Sequence, residues 1–221
     1  MFKKIIVAED IDSISHGLKA LLERLDGAEI TYTKYCDETF LKIKRAQQDK
    51  NPFGLLITDL SFKCSHMDVK LTSGEQLIEQ LKKEGFDIAI IAYSIDERGY
   101  SIRYLLDDLD IDGYVAKGRE SSPDLLKAIH AVYKGEKYIS AHLAHLKKPA
   151  MLTDIDHFDL EIIKLLADGL SQNEIVEDFK RKGKKASSIS SVEKRIIKMK
   201  ASLKARNTTH LVSLAKDLGL V

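Results

Sequence analysis

Cysteine is scarce in this chain. Two thiols in 221 residues, Cys36 and Cys64, cannot build a disulfide framework, and neither stands in a CxxC or Cys/His metal spacing. A reducing, cytoplasmic setting is therefore expected. Long apolar runs are also missing: the segment from Ile88 to Tyr93 is far shorter than the ~20 residues of a membrane span. Met1-Phe2-Lys3-Lys4 leads straight into a strand-like segment rather than into the apolar core of a signal peptide, so neither export nor membrane anchoring is expected. No internal repeat is visible, which removes solenoids and propellers.

Net charge is nearly absent too, at +1 from 35 Lys+Arg and 34 Asp+Glu. The balance conceals an asymmetry. Between Lys180 and Arg206 eleven basic residues face one acidic residue, Glu193, giving +10 over 27 residues and leaving −9 on the other 194. Such a division suggests an acidic module joined to a basic one that meets a polyanion, with double-stranded DNA the first candidate and a solvated basic face the ordinary alternative.

What is present up to about residue 134 is an alternation of short apolar runs and helical periodicities. Strands are expected at Lys4 to Ala8, Ile30 to Tyr35, Leu55 to Thr58, Ile88 to Tyr93 and Gly113 to Val115. Helices are expected between them on apolar spacings such as Leu18-Leu21-Leu22-Leu25 and Ile102-Leu105-Leu106-Leu109, with a last one opened by Pro123. Alternation of this kind predicts an α/β domain with a five-stranded, doubly wound parallel sheet.

Residues 135–151 lose the periodicity and read as a linker. Residues 152–221 carry no strand pattern and predict a small all-α domain of four helices. The first should be capped by Thr153 or Asp154 and ended by Gly169. The second starts at the capping box Ser171-Gln172-Asn173-Glu174, the third runs from about Ser188 to Leu203, and the fourth holds Leu211, Leu214, Ala215 and Leu218.

In an open parallel sheet, ligands bind beyond the carboxyl ends of the strands. The polar residues there are Glu9 and Asp10, Asp59, Ser94 and Lys117. Singly they have ordinary readings, as a helix-start acidic pair, a cap and a surface lysine. Jointly they bring three carboxylates, a hydroxyl and an ammonium to one edge. Carboxylates so gathered need a cation, and a hard, oxygen-loving Mg²⁺ suits them. Asp59 could then attack a phosphoryl group in line, with Lys117 and the metal stabilising the equatorial charge.

The acidic pair of VAED, the segment LLITDLS with Asp59, IIAYS with Ser94 and GYVAKG with Tyr114 and Lys117 together resemble the receiver domain of two-component response regulators. The resemblance implies that Asp59 takes a phosphoryl group from the phosphohistidine of a sensor histidine kinase. It further implies Mg²⁺ held by Asp10, Asp59 and the Ser61 carbonyl, with Glu9 reaching it through water. Ser94 would hydrogen-bond the phosphoryl group and Tyr114 would rotate inward as the readout. The connection from Asp59 to Gly74 is longer than the usual one and lacks its Met-Pro, a feature tolerated in capsule-regulator-like members, which LDDLDIDGYVAKG also resembles. A haloacid-dehalogenase-like phosphatase would want a second Asp two residues after the nucleophile, where this chain has Ser61, so a turnover enzyme is not expected.

EIIKLLADGLSQNEI (Glu161 to Ile175) and, more weakly, SSVEKRIIKMKASL (Ser190 to Leu203) resemble the LuxR-type helix-turn-helix of NarL/FixJ-class regulators. By that resemblance the third helix enters the major groove of DNA and the fourth supplies a homodimer surface at Leu211, Leu214, Ala215 and Leu218, a plain core face being the alternative. Where the family usually has Thr-Val-Lys-x-His, this chain has Ser191, Val192, Glu193, Lys194 and Arg195. With Val192, Ile196, Met199 and Leu203 set aside as core, the expected contacts are Ser190, Ser191, Lys194, Arg195 and Lys198, joined by Lys184 and Lys185 from the long basic turn. The reading is a response regulator and transcription factor whose phosphorylation at Asp59 controls dimerisation and promoter binding. A phosphorylation-independent, protein-binding adaptor with a non-specific nucleic-acid-binding tail is the rival.

Overall fold

The computed structural model describes residues 1–25, 27–62, 70–147, 155–182, 188–218 and 220–221. These form two compact units, one built mainly from residues 1–145 and the other mainly from residues 146–221.

In the first unit the chain runs β1 (Lys4–Ala8), α1 (Asp12–Leu22), β2 (Glu29–Thr33), α2 (Cys36–Gln48), β3 (Leu55–Thr58), α3 (Gly74–Lys83), β4 (Ala89–Ser94), α4 (Gly99–Arg103), β5 (Gly113–Ala116), α5 (Ser121–Tyr133) and β6 (Tyr138–Ile139). All pairings are parallel, in the order β2-β1-β3-β4-β5-β6. The near-continuous apolar strands follow from burial on both faces. Ile5, Val7, Leu55, Ile57, Ile91 and Val115 pack with α1 and α5 through Leu18, Leu22, Leu125 and Ile129. Alternate residues Ile6, Leu56 and Ile90 are equally buried and, by the two-residue period, point to the other face.

The sheet has one strand more than expected. Tyr138 and Ile139, within the segment read as linker, pair with Gly113 and Tyr114, and a 3-10 turn follows at Ala141–Lys147. A strand of two residues is too short to show a period. The fourth helix also differs: α4 passes into a π turn at Tyr104–Asp108, where the Leu109 N–H bonds the Tyr104 carbonyl at 3.0 Å.

The second unit contains α6 (His157–Ala167), α7 (Gln172–Arg181), α8 (Ile189–Ser202) and α9 (Thr208–Asp217). Ile162, Ile163, Ile175, Phe179, Val192, Ile196, Met199, Leu211 and Ala215 form its core. Ser171 and Glu174 make the expected capping box, and Gly169 follows α6 at φ +91°, the left-handed conformation that glycine adopts without strain. The cap of α6 is Asp156, in a second capping box with Asp159. Thr153 and Asp154, the caps expected there, lie outside the described residues.

Candidate functional site

The strand order reverses at β1, with β2 on one side and β3 on the other, so the residues after β1 and β3 emerge side by side. The backbone ladder continues one residue past the strands. The Glu9 N–H bonds Thr33, the Asp59 N–H bonds Ala8, both at 3.0 Å, and the Lys117 N–H bonds Ser94 at 2.8 Å. The sheet thereby sets the starting point of each functional side chain.

From these positions the side chains converge. Lys117 Nζ donates to Glu9 Oε2 at 2.8 Å and to Asp59 Oδ2 at 2.7 Å, and all three side chains are buried. The same ammonium stands 5.3 Å from the centre of the Tyr93 ring. Asp59 Oδ1 accepts the N–H of Leu60 at 2.6 Å and that of Ser61 at 3.4 Å, so both carboxylate oxygens are engaged. Burial pushes the Glu9 carboxyl above its ordinary 4.5, against the opposing pull of Lys117 and of the Ile11 N–H.

Oxygen atoms of Glu9, Asp10 and Asp59 lie within 4.8 Å of one another. One ammonium offsets one of three carboxylate charges. A set of hard oxygen donors with this charge excess could hold a metal ion, a divalent one such as Mg²⁺ by donor type.

Ser94 is fully buried, and its hydroxyl accepts the Asp96 N–H at 3.3 Å. Tyr114 points inward with its ring fully buried, and its hydroxyl donates to the Asp96 carbonyl. Burial, with the charge of Asp96 beside it, raises the Tyr114 phenol well above its ordinary 10. Ser94 and Tyr114 thus both engage the backbone of Asp96, two positions beyond the end of β4, and the Ser94 side chain also acts directly on the Tyr114 phenol.

Three supports were not read from the sequence. Gly74, the first residue of α3, approaches Asp59 so closely that a Cβ there would lie 1.9 Å from the Asp59 carbonyl oxygen. Ser61 and Ser73 form an isolated antiparallel bridge across the base of the long connection, and Asp37 accepts the N–H groups of Lys70 and Leu71 at 2.9 and 3.2 Å. Buried Ser140, just after β6, accepts the Ala116 N–H at 3.0 Å and donates its hydroxyl to Asp124, while Tyr138 donates to the same carboxylate. Ser140 also returns its own N–H to the Tyr114 carbonyl, so it grips the strand that ends at Lys117. Only a glycine at the first position of a helix and a Ser-Asp pair sixteen residues apart could have signalled these contacts, and both patterns are common.

In the second unit, Ser190, Lys194 and Lys198 are exposed on α8 and Ser191 is partly so, while Lys184 and Lys185 lie outside the described residues. Arg195 is held inward. Its Nη1 donates to Asp156 at 2.7 and 2.9 Å and to fully buried Asp159 at 2.7 Å, and the guanidinium stacks 4.8 Å from the Phe158 ring centre. Lys198 is a weaker neighbour of Asp159, at 3.9 Å. Burial alone would raise Asp156, but hydrogen bonds from Arg195 and from the Asp159 N–H outweigh it and hold the carboxyl below its ordinary 3.8. The expected dimer surface on α9 needs correcting: Leu211 and Ala215 are fully buried in their own domain's core, leaving half-buried Leu214 and exposed Leu218 outside.

No protein-family profile matches the chain. Curated relatives do. The transcriptional regulatory protein LnrK of Bacillus subtilis is 27% identical over 186 residues, 79% of this chain and 81% of its own length. The response regulator GacA of Pseudomonas aeruginosa is 25% identical over 144 residues, 64% of this chain and 60% of its own. The response regulator UvrY of Escherichia coli is 20% identical, with 79% of this chain and 78% of its own length covered. Among solved structures, RcsB in a complex described as two dimers bound to two parallel DNAs superimposes with a TM-score of 0.62 at 23% identity, covering 98% of both chains. The isolated receiver domain of RcsB from Salmonella enterica, with a phosphomimetic, matches 65% of this chain and 97% of its own at a TM-score of 0.52 and 25% identity.

Proposed function

We propose that this chain, a response regulator of the NarL/FixJ class by its relatives and its two-domain fold, is a DNA-binding transcription factor switched by phosphorylation at Asp59. The observation that carries the reading is the Lys117 ammonium set between Glu9 and Asp59 at the strand-end edge of the sheet. A phosphohistidine of a sensor histidine kinase is the donor. An Asp59 carboxylate oxygen attacks phosphorus, the P–O bond forms as the P–N bond breaks, and the imidazole leaves with a proton.

Before the transfer Lys117 neutralises the attacking carboxylate, and afterwards it can follow the charge onto the phosphoryl oxygens. Mg²⁺ held by Glu9, Asp10 and Asp59, with the Ser61 carbonyl, would supply further positive charge at those oxygens. Ser94 hydrogen-bonds the phosphoryl group, and the change at Ser94 reaches Tyr114 both directly and through Asp96. Asp59 holds the group stoichiometrically and loses it slowly, so the protein is a switch rather than a turnover enzyme.

The output is a homodimer on double-stranded DNA. Support comes from the basic face of α8 and from the relatives, since RcsB is described as dimers bound to DNA. Ser190, Ser191, Lys194 and Lys198 are the contacts on α8, with Lys184 and Lys185 before it. On α9 the dimer contact reduces to Leu214 and Leu218. Arg195 positions α8 against α6.

The test is sedimentation velocity of the full chain with Mg²⁺, with and without beryllofluoride, beside Asp59→Ala. A beryllofluoride-dependent shift from monomer to dimer that Asp59→Ala abolishes is the expected result. No shift in the wild type, with DNA binding unchanged in Asp59→Ala, overturns the phosphorylation switch.

A further inference from the structure

The outward face of α8 carries an apolar residue at its centre. Ile197 is 61% exposed, whereas its neighbours Val192, Ile196 and Met199 are buried in the core. At 100° per residue, Ser190, Ile197 and Ala201 fall on one line along the helix. Lys194 and Lys198 flank that line on one side and Glu193 on the other, and all six residues are exposed. A single exposed isoleucine on a protein surface is ordinary. What sets this one apart is its place beside two ammonium groups, on the most basic stretch of the chain.

Positive charge along one flank selects a polyanion, but a phosphate has nothing to offer a sec-butyl group. Within the major groove the base edges are polar with one exception, the C5 methyl of thymine. Small Ser190 and Ala201, one turn or more to either side, leave room for the helix to approach the base edges. Glu193 sits where it would meet a phosphate unfavourably and a cytosine amino group favourably, which further directs this face toward bases.

Resting on the DNA-binding reading above, we propose that Ile197 is a specificity-determining residue that packs on a thymine C5 methyl in the major groove. Lys194 and Lys198 then hold the backbone on the flank, and Ile197 contributes discrimination more than affinity.

The experiment uses the full chain with Mg²⁺ and beryllofluoride. A randomised duplex pool is enriched by repeated binding, and each thymine of the enriched sequence is replaced in turn by uracil, which keeps every hydrogen-bonding group and removes only the methyl. For the wild type, uracil at one thymine per half-site should weaken binding about fourfold, the worth of one buried methyl. Ile197→Ala should bind thymine and uracil duplexes equally at that position while melting at the wild-type temperature. The proposal is overturned if no thymine is sensitive to the exchange, or if Ile197→Ala keeps the sensitivity. It is overturned too if Ile197→Ala abolishes the beryllofluoride-dependent dimer, which would make a second copy of the chain the occupant. A pool that enriches no sequence defeats the sequence-specific DNA reading itself, a different result from enrichment without methyl sensitivity.

Discussion

Gly74 and Asp59 touch backbone to backbone: a Cβ on the glycine would lie 1.9 Å from the aspartate's carbonyl oxygen, and the Gly74 N–H already bonds the neighbouring Leu60 carbonyl at 3.1 Å. The atom met is rigid main chain, so it cannot swing away as a flexible side chain would. Gly74→Ala must therefore displace either α3 or Asp59, whose carboxylate is the proposed phosphoacceptor. The expected cost is about 1–3 kcal/mol, read from urea unfolding, together with slower labelling by a small phosphoryl donor. Normal stability with normal labelling would mean that the approach is looser than described.

Arg195 tests a structural role against a DNA contact. Asp159 is fully buried, and Arg195→Met removes its principal cation. The loss expected is about 1–3 kcal/mol, less than for a wholly buried pair because the guanidinium side chain is 29% exposed.

The pH dependence of that loss follows from Asp156, whose folded carboxyl lies below its ordinary 3.8. A depressed carboxyl contributes stability that is fully present above the unfolded value and disappears as pH falls through the folded one. The gap between wild type and Arg195→Met should thus be widest near neutral pH and narrow below about pH 4, as followed by denaturant melts at several pH values.

Salt dependence separates the basic residues of α8. Lys194→Ala and Lys198→Ala should each lower the slope of log affinity against log salt by about one, the mark of a lost phosphate contact. Arg195→Met should leave the slope unchanged while weakening binding through the fold. A reduced slope in Arg195→Met would show that the guanidinium leaves Asp156 and Asp159 for the backbone.

Ser140 carries a prediction about the strand that ends at Lys117. Ser140→Ala leaves the buried Ala116 N–H without its acceptor and Asp124 without one of its donors. A loss of about 1–3 kcal/mol is expected, with Tyr138→Phe milder because Tyr138 is only half-buried whereas Ser140 is buried, and it leaves no backbone donor unpaired. Burial and the neighbouring Asp124 push the Tyr138 phenol up to about 12, so this contact should persist through alkaline titration to that range.

What the sequence disclosed follows from how far each signal travels. Glu9, Asp10, Asp59, Ser94 and Lys117 were legible because each sits at or just beyond the end of an apolar strand, and parallel topology sends such ends to one edge. The Ser171-Glu174 capping box was legible because both halves lie within four residues. Asp156 and Asp159 escaped notice because their partner, Arg195, comes 36 or more residues later. The π turn at Tyr104–Asp108 keeps an apolar spacing that an α-helix shares. Leu211 and Ala215 form the same stripe whether a partner or their own domain covers it, and only packing distinguishes the two.

The Ser61–Ser73 bridge gives the long connection after Asp59 a fixed pair of endpoints, with Asp37 holding a further anchor at Lys70 and Leu71. Chain between pinned ends adds closure entropy only logarithmically with its length. Residues added between the two serines would for that reason cost little in closure entropy, about 0.6 kcal/mol for a doubling of the loop, while the bridge keeps the two ends in register beside Leu60 and Gly74.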